Sequence, residues 1–309
     1  MATIPAPTDV GALANRINFH TRDAHNKINA YMSVRLAFAL KHGWIFRQGI
    51  LAYYYIFQAI EQELDRIMDH ARNEKEMQMQ NVLGKFWMND FRRTDRIFQD
   101  LTLLYSPEFP TESSLEQFLT SGNHLAPTLQ AFVDSIHKNV QEEPCTILAY
   151  CHVLYLALFA GGKVMRSNLY RHTGLFPKFQ HLSPRELVQR GTNFFTFSEE
   201  GSEAENKLRW RYKRGYELAT RDELTEEQKQ KIISVSSEIF QWNMETIAEI
   251  GELNRQELMG SVSFRLLTYL HEEWKHTDKL SKNQKDLLVL AVLVVQFLIV
   301  YLVLRRILA

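Results

Sequence analysis

Between Pro144 and Gly174 nothing breaks a helix except two adjacent glycines, Gly161 and Gly162. Pro144 suits a first helical turn, where its missing N–H is no loss, and Gly174 with Pro177 reads as a stop. Inside a helix each glycine costs about 1 kcal/mol relative to alanine, roughly 2 kcal/mol for the pair. Such a penalty at the centre of a long apolar helix has one of two physical reasons. Another element crosses closely there, or something flat lies against bare backbone. Taken alone, the pair favours the crossing.

The rest of the chain is helical in pattern as well. From Val10, residues Leu13, Ile17, Thr21, His25, Ile28 and Met32 recur at three- and four-residue steps, so His25 falls on the inward stripe. A histidine there is either a core residue with one hydrogen bond or a ligand. Arg47 to Met68 predicts a second helix, rich in tyrosine at Tyr53, Tyr54 and Tyr55, whose Glu61, Glu63 and Asp65 share no face and read as solvated. Further helical patterns cover Glu74 to Phe98 and Leu115 to His137, with turns at Pro107, Pro110 and Gly122. After the glycine-bearing helix come a loop, a short helix over Arg185 to Arg190 and an apolar connector with Phe194, Phe195 and Phe197. Lys207 to Thr220 is basic and aromatic, and its Arg209 and Lys213 lie at i and i+4 on one face. That face suits two carboxylates of a ligand, or plain solvent. Thr225 and Gln228 form a capping box for a helix running through Phe240 and Asn243 to Leu253. No strand alternation is visible, and the fold class is all-α.

Composition narrows the function classes. The 309 residues, 45% hydrophobic, are enough for a sizeable core, and 36 Lys plus Arg balance 36 Asp plus Glu, so bulk charge predicts no nucleic-acid partner. The two cysteines, Cys145 and Cys151, fit neither a zinc knuckle nor a disulfide framework and read as reduced thiols facing a cytosol. No secretory signal pattern opens the chain. Residues 287–304 carry no charge and one strongly polar residue, Gln296. At about 1.5 Å per residue they cover roughly 27 Å, enough for a thin bilayer such as that of the endoplasmic reticulum. The other readings are a buried core helix or an interaction helix; the apolar residues cover every face, which a surface helix would not do. The division expected is a mobile lead-in over 1–9, a globular domain over 10–255, a helical linker over 256–286 and a transmembrane tail anchor over 287–304, with the domain in the cytosol.

Most catalytic signatures are missing. There is no phosphate-cradling glycine loop, nucleophile elbow or HExxH zinc site. A di-iron bundle needs two Glu-x-x-His pairs, and only Glu273 with His276 has the spacing, beside the membrane linker. What remains is an inward histidine, a helix bare at two glycines and a basic helical face. A flat apolar ligand with two carboxylates and a central metal uses all three, and haem is such a ligand.

At these residues the chain resembles haem oxygenases. Thr21-Arg22-Asp23-Ala24-His25 resembles their first-helix motif, Leu156 to Gly162 their distal helix, and Asn193 to Phe197 the following connector. The resemblance runs from Leu13 to Leu253 and is greatest to the fungal, tail-anchored branch. It implies a haem between two helices, with His25 as proximal iron ligand and Gly161 and Gly162 giving the distal backbone close approach. Arg209 and Lys213, with Arg22, would partner the propionates; Phe240 would line the pocket and Asn243 would join the distal polar network. Haem is then both substrate and cofactor. It is opened by O2 to biliverdin, carbon monoxide and ferrous iron, with electrons from NADPH through a membrane-bound flavoprotein reductase. A shared membrane raises the effective concentration of the two proteins.

Several positions depart from the family pattern. Leu158 stands where an aspartate is common, Leu154 where an arginine is, and Phe57 where a tyrosine is. Asn29 replaces the carboxylate expected to orient His25, and Asn18 replaces a propionate-side lysine. Two function classes follow. One is a working haem oxygenase whose distal hydrogen bonds come from backbone and water near Ala157 and Gly161, with His152 or Tyr150 as contributors or as ordinary packing. The other is a haem-binding sensor or carrier with at most peroxidase-like activity.

Overall fold

Threonine 21 divides what the sequence reads as one helix. A computed structural model, which describes residues 9, 11–122, 124–179, 181–261 and 264–265, shows α1 (Leu13–His20) and α2 (Arg22–Ala39) on either side of it. The Thr21 hydroxyl donates to the Ile17 carbonyl at 2.8 Å, a back-bond that bends helices. Leu13 and Ile17 are buried, but past the bend the same stripe leaves the core: Ile28 and Met32 are half-buried and His25 is exposed. The inward placement read for His25 is thus corrected.

The central pillar is α3 (Gly43–His70), which buries Ile50, Ile56, Phe57, Ile60, Leu64 and Ile67 against its neighbours. Its acidic run is not solvated as expected. Glu61 and Glu63 are buried, and Asp65 pairs with Arg92. Burial disfavours the ionised form of Glu63, but donors from His137 (2.7 Å), Arg66 (2.6 Å) and Gln141 (3.0 Å) outweigh it and hold the carboxyl below its ordinary range. At Glu61 burial wins and the pKa is raised.

Glu61 also explains why Glu74–Phe98 is not one helix. It becomes α4 (Glu74–Gly84) and α5 (Thr94–Leu104), separated by a short turn. Glu61 accepts from the backbone N–H groups of Arg93 and Thr94, which places a carboxylate at the start of α5. Arg93, fully buried, donates its guanidinium to the carbonyls of Asp90 (2.7 Å), Phe91 (2.9 Å) and Thr196 (2.8 Å). Those carbonyls are free to accept because the chain bends there.

Next come α6 (Glu112–Ser121), ended by Gly122 at φ +62°, and α7 (Pro127–Glu142). The glycine-bearing helix is α8 (Pro144–Leu169), which stops short of Gly174 and widens into a π turn over Cys151–Tyr155. α9 (Pro184–Arg190) begins on a Ser183–Glu186 capping box. α10 (Ser202–Arg221) sends its Tyr212 and Tyr216 hydroxyls to the Cys151 and Leu148 carbonyls of the widened region, at 2.7 and 3.0 Å. α11 (Glu226–Leu253) starts on the expected Thr225–Gln228 box and packs against α1, α2, α7 and α8. No strand occurs among the described residues.

Residues 1–253 form one unit and 254–309 another, which contains the short α12 (Arg255–Leu258). Among the described residues, α8 is the one helix long and apolar enough to cross a membrane, and 72% of its apolar window is buried inside the domain. It is a core helix. Residues 287–304, most of the linker and the Glu273–His276 pair lie outside the described residues. Cys145 and Cys151 are buried free thiols, each pushed up to about 12 by burial.

Candidate functional site

α11 packs against α2 and against the first half of α8, residues 144–155. On α2 the exposed His25 ring meets Phe240 of α11 edge-on, with centroids 6.0 Å apart. Its Nδ1 lies 3.2 Å from the Asn29 side-chain nitrogen one turn later. The two orientations of the Asn29 amide occupy the same space, and only the oxygen-inward one leaves a proton on Nδ1 and a bare lone pair on Nε2. Among the described residues Nε2 has no hydrogen-bond partner.

One turn after Phe240, Asn243 is buried. Its Nδ2 donates to the Ile239 carbonyl at 2.7 Å, and its Oδ1 accepts from the Tyr53 hydroxyl of α3 at 3.3 Å. Burial pushes the Tyr53 phenol up to about 12, so it holds its proton. Tyr53 packs on Phe57 and Phe194, and Phe57 meets Tyr155 edge-on. Leu154, Leu158 and Phe57 are all buried and apolar, so the carboxylate, guanidinium and phenol common in the family are absent from these positions.

The two glycines of α8 answer the two readings separately. A Cβ on Gly162 would sit 2.9 Å from the Phe195 carbonyl oxygen, so that glycine permits a close crossing by the connector. A Cβ on Gly161 would meet nothing within 4 Å. Gly161 lies with Ala157 and Ala160 at i, i+3 and i+4, a strip of small residues that ends on the exposed Val164 at i+7; Ala157 and Ala160 are exposed and Gly161 half-buried.

The connector over Gly162 is held from three sides. Asp100 of α5 accepts from the Asn193 and Phe194 backbone N–H groups at 2.8 and 2.9 Å and from the Asn193 side chain at 2.9 Å. Burial pushes Asp100 up to about 7 against the pull of those donors. Arg93 holds the Thr196 carbonyl, and Arg166 of α8 holds the Phe195 carbonyl while pairing with Glu205 at 2.6 Å.

Arg209 and Lys213 of α10 are half-buried, and Lys213 lies 6.0 Å from the Trp210 ring. Burial and the neighbouring Arg209 charge push the Lys213 ammonium down. No acid bridges the two among the described residues, and an anion there would relieve both effects. Arg22 is not gathered with them: it is exposed and pairs at 3.5 Å with its neighbour Asp23. A groove of about 510 Å³ between the end of α4 and the flank of α10, lined by Trp87, Trp210, Arg211 and Arg214, includes none of the candidate residues.

These residues fit a haem. His25 offers a free imidazole nitrogen, Ala157, Ala160 and Gly161 a face with little side-chain bulk, and Arg209 with Lys213 an unneutralised positive pair. Sequence reasoning missed Tyr53, although its position one turn before Phe57 was a signal that a phenol reaches the same region from the preceding turn. It also missed the clamp on the connector, because Glu61, Arg93 and Asp100 carry no local motif.

A sequence profile described as Heme oxygenase matches residues 11–249. The "Heme-binding protein HMX1" of Saccharomyces cerevisiae is 61% identical over 271 residues, 88% of this chain and 85% of that protein. "Heme oxygenase 1" of a Nostoc species is 22% identical over 83% of this chain and 92% of its own length. Among solved structures, heme oxygenase-2 from Synechocystis in complex with heme and NO superposes with a TM-score of 0.62 at 20% identity, covering 84% of this chain and 92% of that one. The all-helical fold is shared with that structure, and the profile spans His25, the glycine pair and the clamped connector; the chain belongs to the heme oxygenase family.

Proposed function

We propose that the chain is a haem oxygenase, opening haem to biliverdin, carbon monoxide and ferrous iron with O2 and reductase-supplied electrons. The observation that carries this is the exposed His25 on α2, with a free Nε2, within a domain matched by the family profile from 11 to 249. His25 would hold the iron, Phe240 would pack beside the ring, and Arg209 and Lys213 would neutralise the propionates. Bound haem supplies the redox centre at which O2 is activated. The chain's own residues set the surroundings. With its amide oxygen turned inward, Asn29 would accept from Nδ1–H and set the His25 tautomer, and Gly161 keeps a methyl group off the ligand-facing backbone. Tyr53 and Asn243 hold a proton on a phenol of raised pKa, and Leu154, Leu158 and Phe57 exclude water.

A specific observation favours a second reading. With Leu158 in place of the usual carboxylate, and a 61% identical relative named only as a heme-binding protein, the chain is alternatively a haem sensor or carrier with peroxidase-like activity at most. Anaerobic reduction of the purified haem complex followed by oxygen decides. Biliverdin and carbon monoxide, formed in the presence of catalase, support the oxygenase; haem that survives intact sinks it.

Residues 287–304 are proposed as a tail anchor in the endoplasmic reticulum membrane, with the domain in the cytosol beside a membrane-bound NADPH-dependent flavoprotein reductase. Their uncharged length supports this. A chain ending near Lys275 that still sedimented with membranes would refute it.

A further inference from the structure

His152, in the π turn of α8, is used by none of the roles above. It is 4% exposed, and its Nε2 lies 3.2 Å from Oδ1 of Asn18, an exposed residue of α1. Its Nδ1 is buried and has no hydrogen-bond partner among the described residues. That asymmetry fixes the proton. Hydrogen on Nδ1 would bury an N–H with no acceptor, and orphaned N–H groups are rarer in folded proteins than bare acceptors. Hydrogen on Nε2 gives a donor to Asn18 and leaves only a lone pair bare. A doubly protonated ring is opposed by burial and by the positive charge of Lys213, which together push the imidazole down to about 4.

The tautomer fixes the amide in turn. With Oδ1 of Asn18 engaged by His152, the two N–H donors of Nδ2 are turned away from the buried ring at an exposed position. The Lys213 charge acts on the His152 ring that Asn18 faces, and α1, which carries Asn18, packs against α10, which carries Lys213 and Arg209.

We propose that His152 is a positioning residue: its Nε2–H holds Asn18 with the amide hydrogens outward, so that Asn18 joins Lys213 and Arg209 in receiving a carboxylate of the ligand. A neutral amide of fixed orientation then serves where a flexible cation is common in the family. This rests on the haem reading above, and the experiment separates the two.

The full chain in detergent is titrated with haem and with haem dimethyl ester, which lacks free carboxylates, following the absorption change. Asn18→Ala and His152→Leu should each weaken haem binding about tenfold, the size of a hydrogen bond to a charged group. Both should leave the ester within about twofold. The double variant should lose no more than either single one. His152→Gln, whose amide can still donate, should restore most of the affinity, and in an Asn18→Lys background His152→Leu should have no effect. Equal weakening of haem and ester by His152→Leu would mean packing alone and overturn the inference, as would unchanged haem affinity in Asn18→Ala, a surface variant with no folding risk. If the unaltered chain binds neither compound, the haem reading itself fails and takes this inference with it.

Discussion

Alanine at Gly161 should stabilise the fold and alanine at Gly162 should not, although the residues are adjacent in one helix. Each substitution gains about 1 kcal/mol of helix propensity. At Gly161 nothing within 4 Å opposes the new methyl group, so Gly161→Ala should stabilise the fold by about that amount. At Gly162 the methyl would lie 2.9 Å from the Phe195 oxygen and 3.6 Å from its carbonyl carbon and Cα. That segment cannot retreat freely, because Asp100, Arg93 and Arg166 hold it from three sides. Overpacking of this kind costs about 1–3 kcal/mol, so Gly162→Ala should come out neutral to about 2 kcal/mol less stable. The propensity gain cancels between the variants, and their difference, about 1–3 kcal/mol, is the overpacking cost alone. Urea unfolding followed by far-ultraviolet circular dichroism measures it directly. Equal midpoints, or Gly161→Ala as the less stable of the two, would refute the division of labour between the glycines. Haem titration adds a second axis: the stabilised Gly161→Ala should bind haem more weakly, because its methyl group projects from the ligand-facing strip.

The clamp, the proximal ligand and the buried histidine each make a further prediction. Asp100→Ala leaves the Asn193 and Phe194 backbone N–H groups without an acceptor, while the Asn193 side chain keeps the Arg190 carbonyl, and should cost about 3 kcal/mol in the same unfolding assay. His25→Ala should change the iron spin state and the absorption spectrum of the haem complex, and added imidazole should restore both. His152 takes up a proton less readily when folded, at about 4, than at its ordinary 6.5. The unfolded chain therefore binds the proton that the folded one refuses. Its contribution, on the order of 3 kcal/mol, is complete above about pH 6.5 and lost as pH falls towards about 4. His152→Gln should flatten that part of the pH dependence of unfolding.

Local signals carried much of this molecule. The period of apolar residues located α3 and α11, the Thr225–Gln228 pair located a helix start to the residue, and Arg209 and Lys213 stayed on one half-buried face. The failures share a cause. Glu61 reads as solvated from its own neighbours, yet its partners Arg93 and Thr94 are more than thirty positions away and become its partners only once α3 and α5 pack. The same remote pairing cut one expected helix into α4 and α5. His25 was placed inward by periodicity because the period was carried across Thr21, where the helix bends. At the glycine pair both explanations hold at once, because neighbouring positions on a helix face about 100° apart and each can answer a different neighbour.

The widened turn at Cys151–Tyr155 bears on how this chain can be aligned with its relatives. A π turn accommodates about one residue beyond what an α-helix would, with the flanking helix left intact on both sides. In effect it is a length change hidden inside a secondary-structure element, where gaps are least expected. Counting in α-helical steps across it misplaces a face by about 100°. Leu154 sits inside the turn and Leu158 beyond it, so their correspondence with polar positions elsewhere in the family holds only where the relative carries the same widened turn.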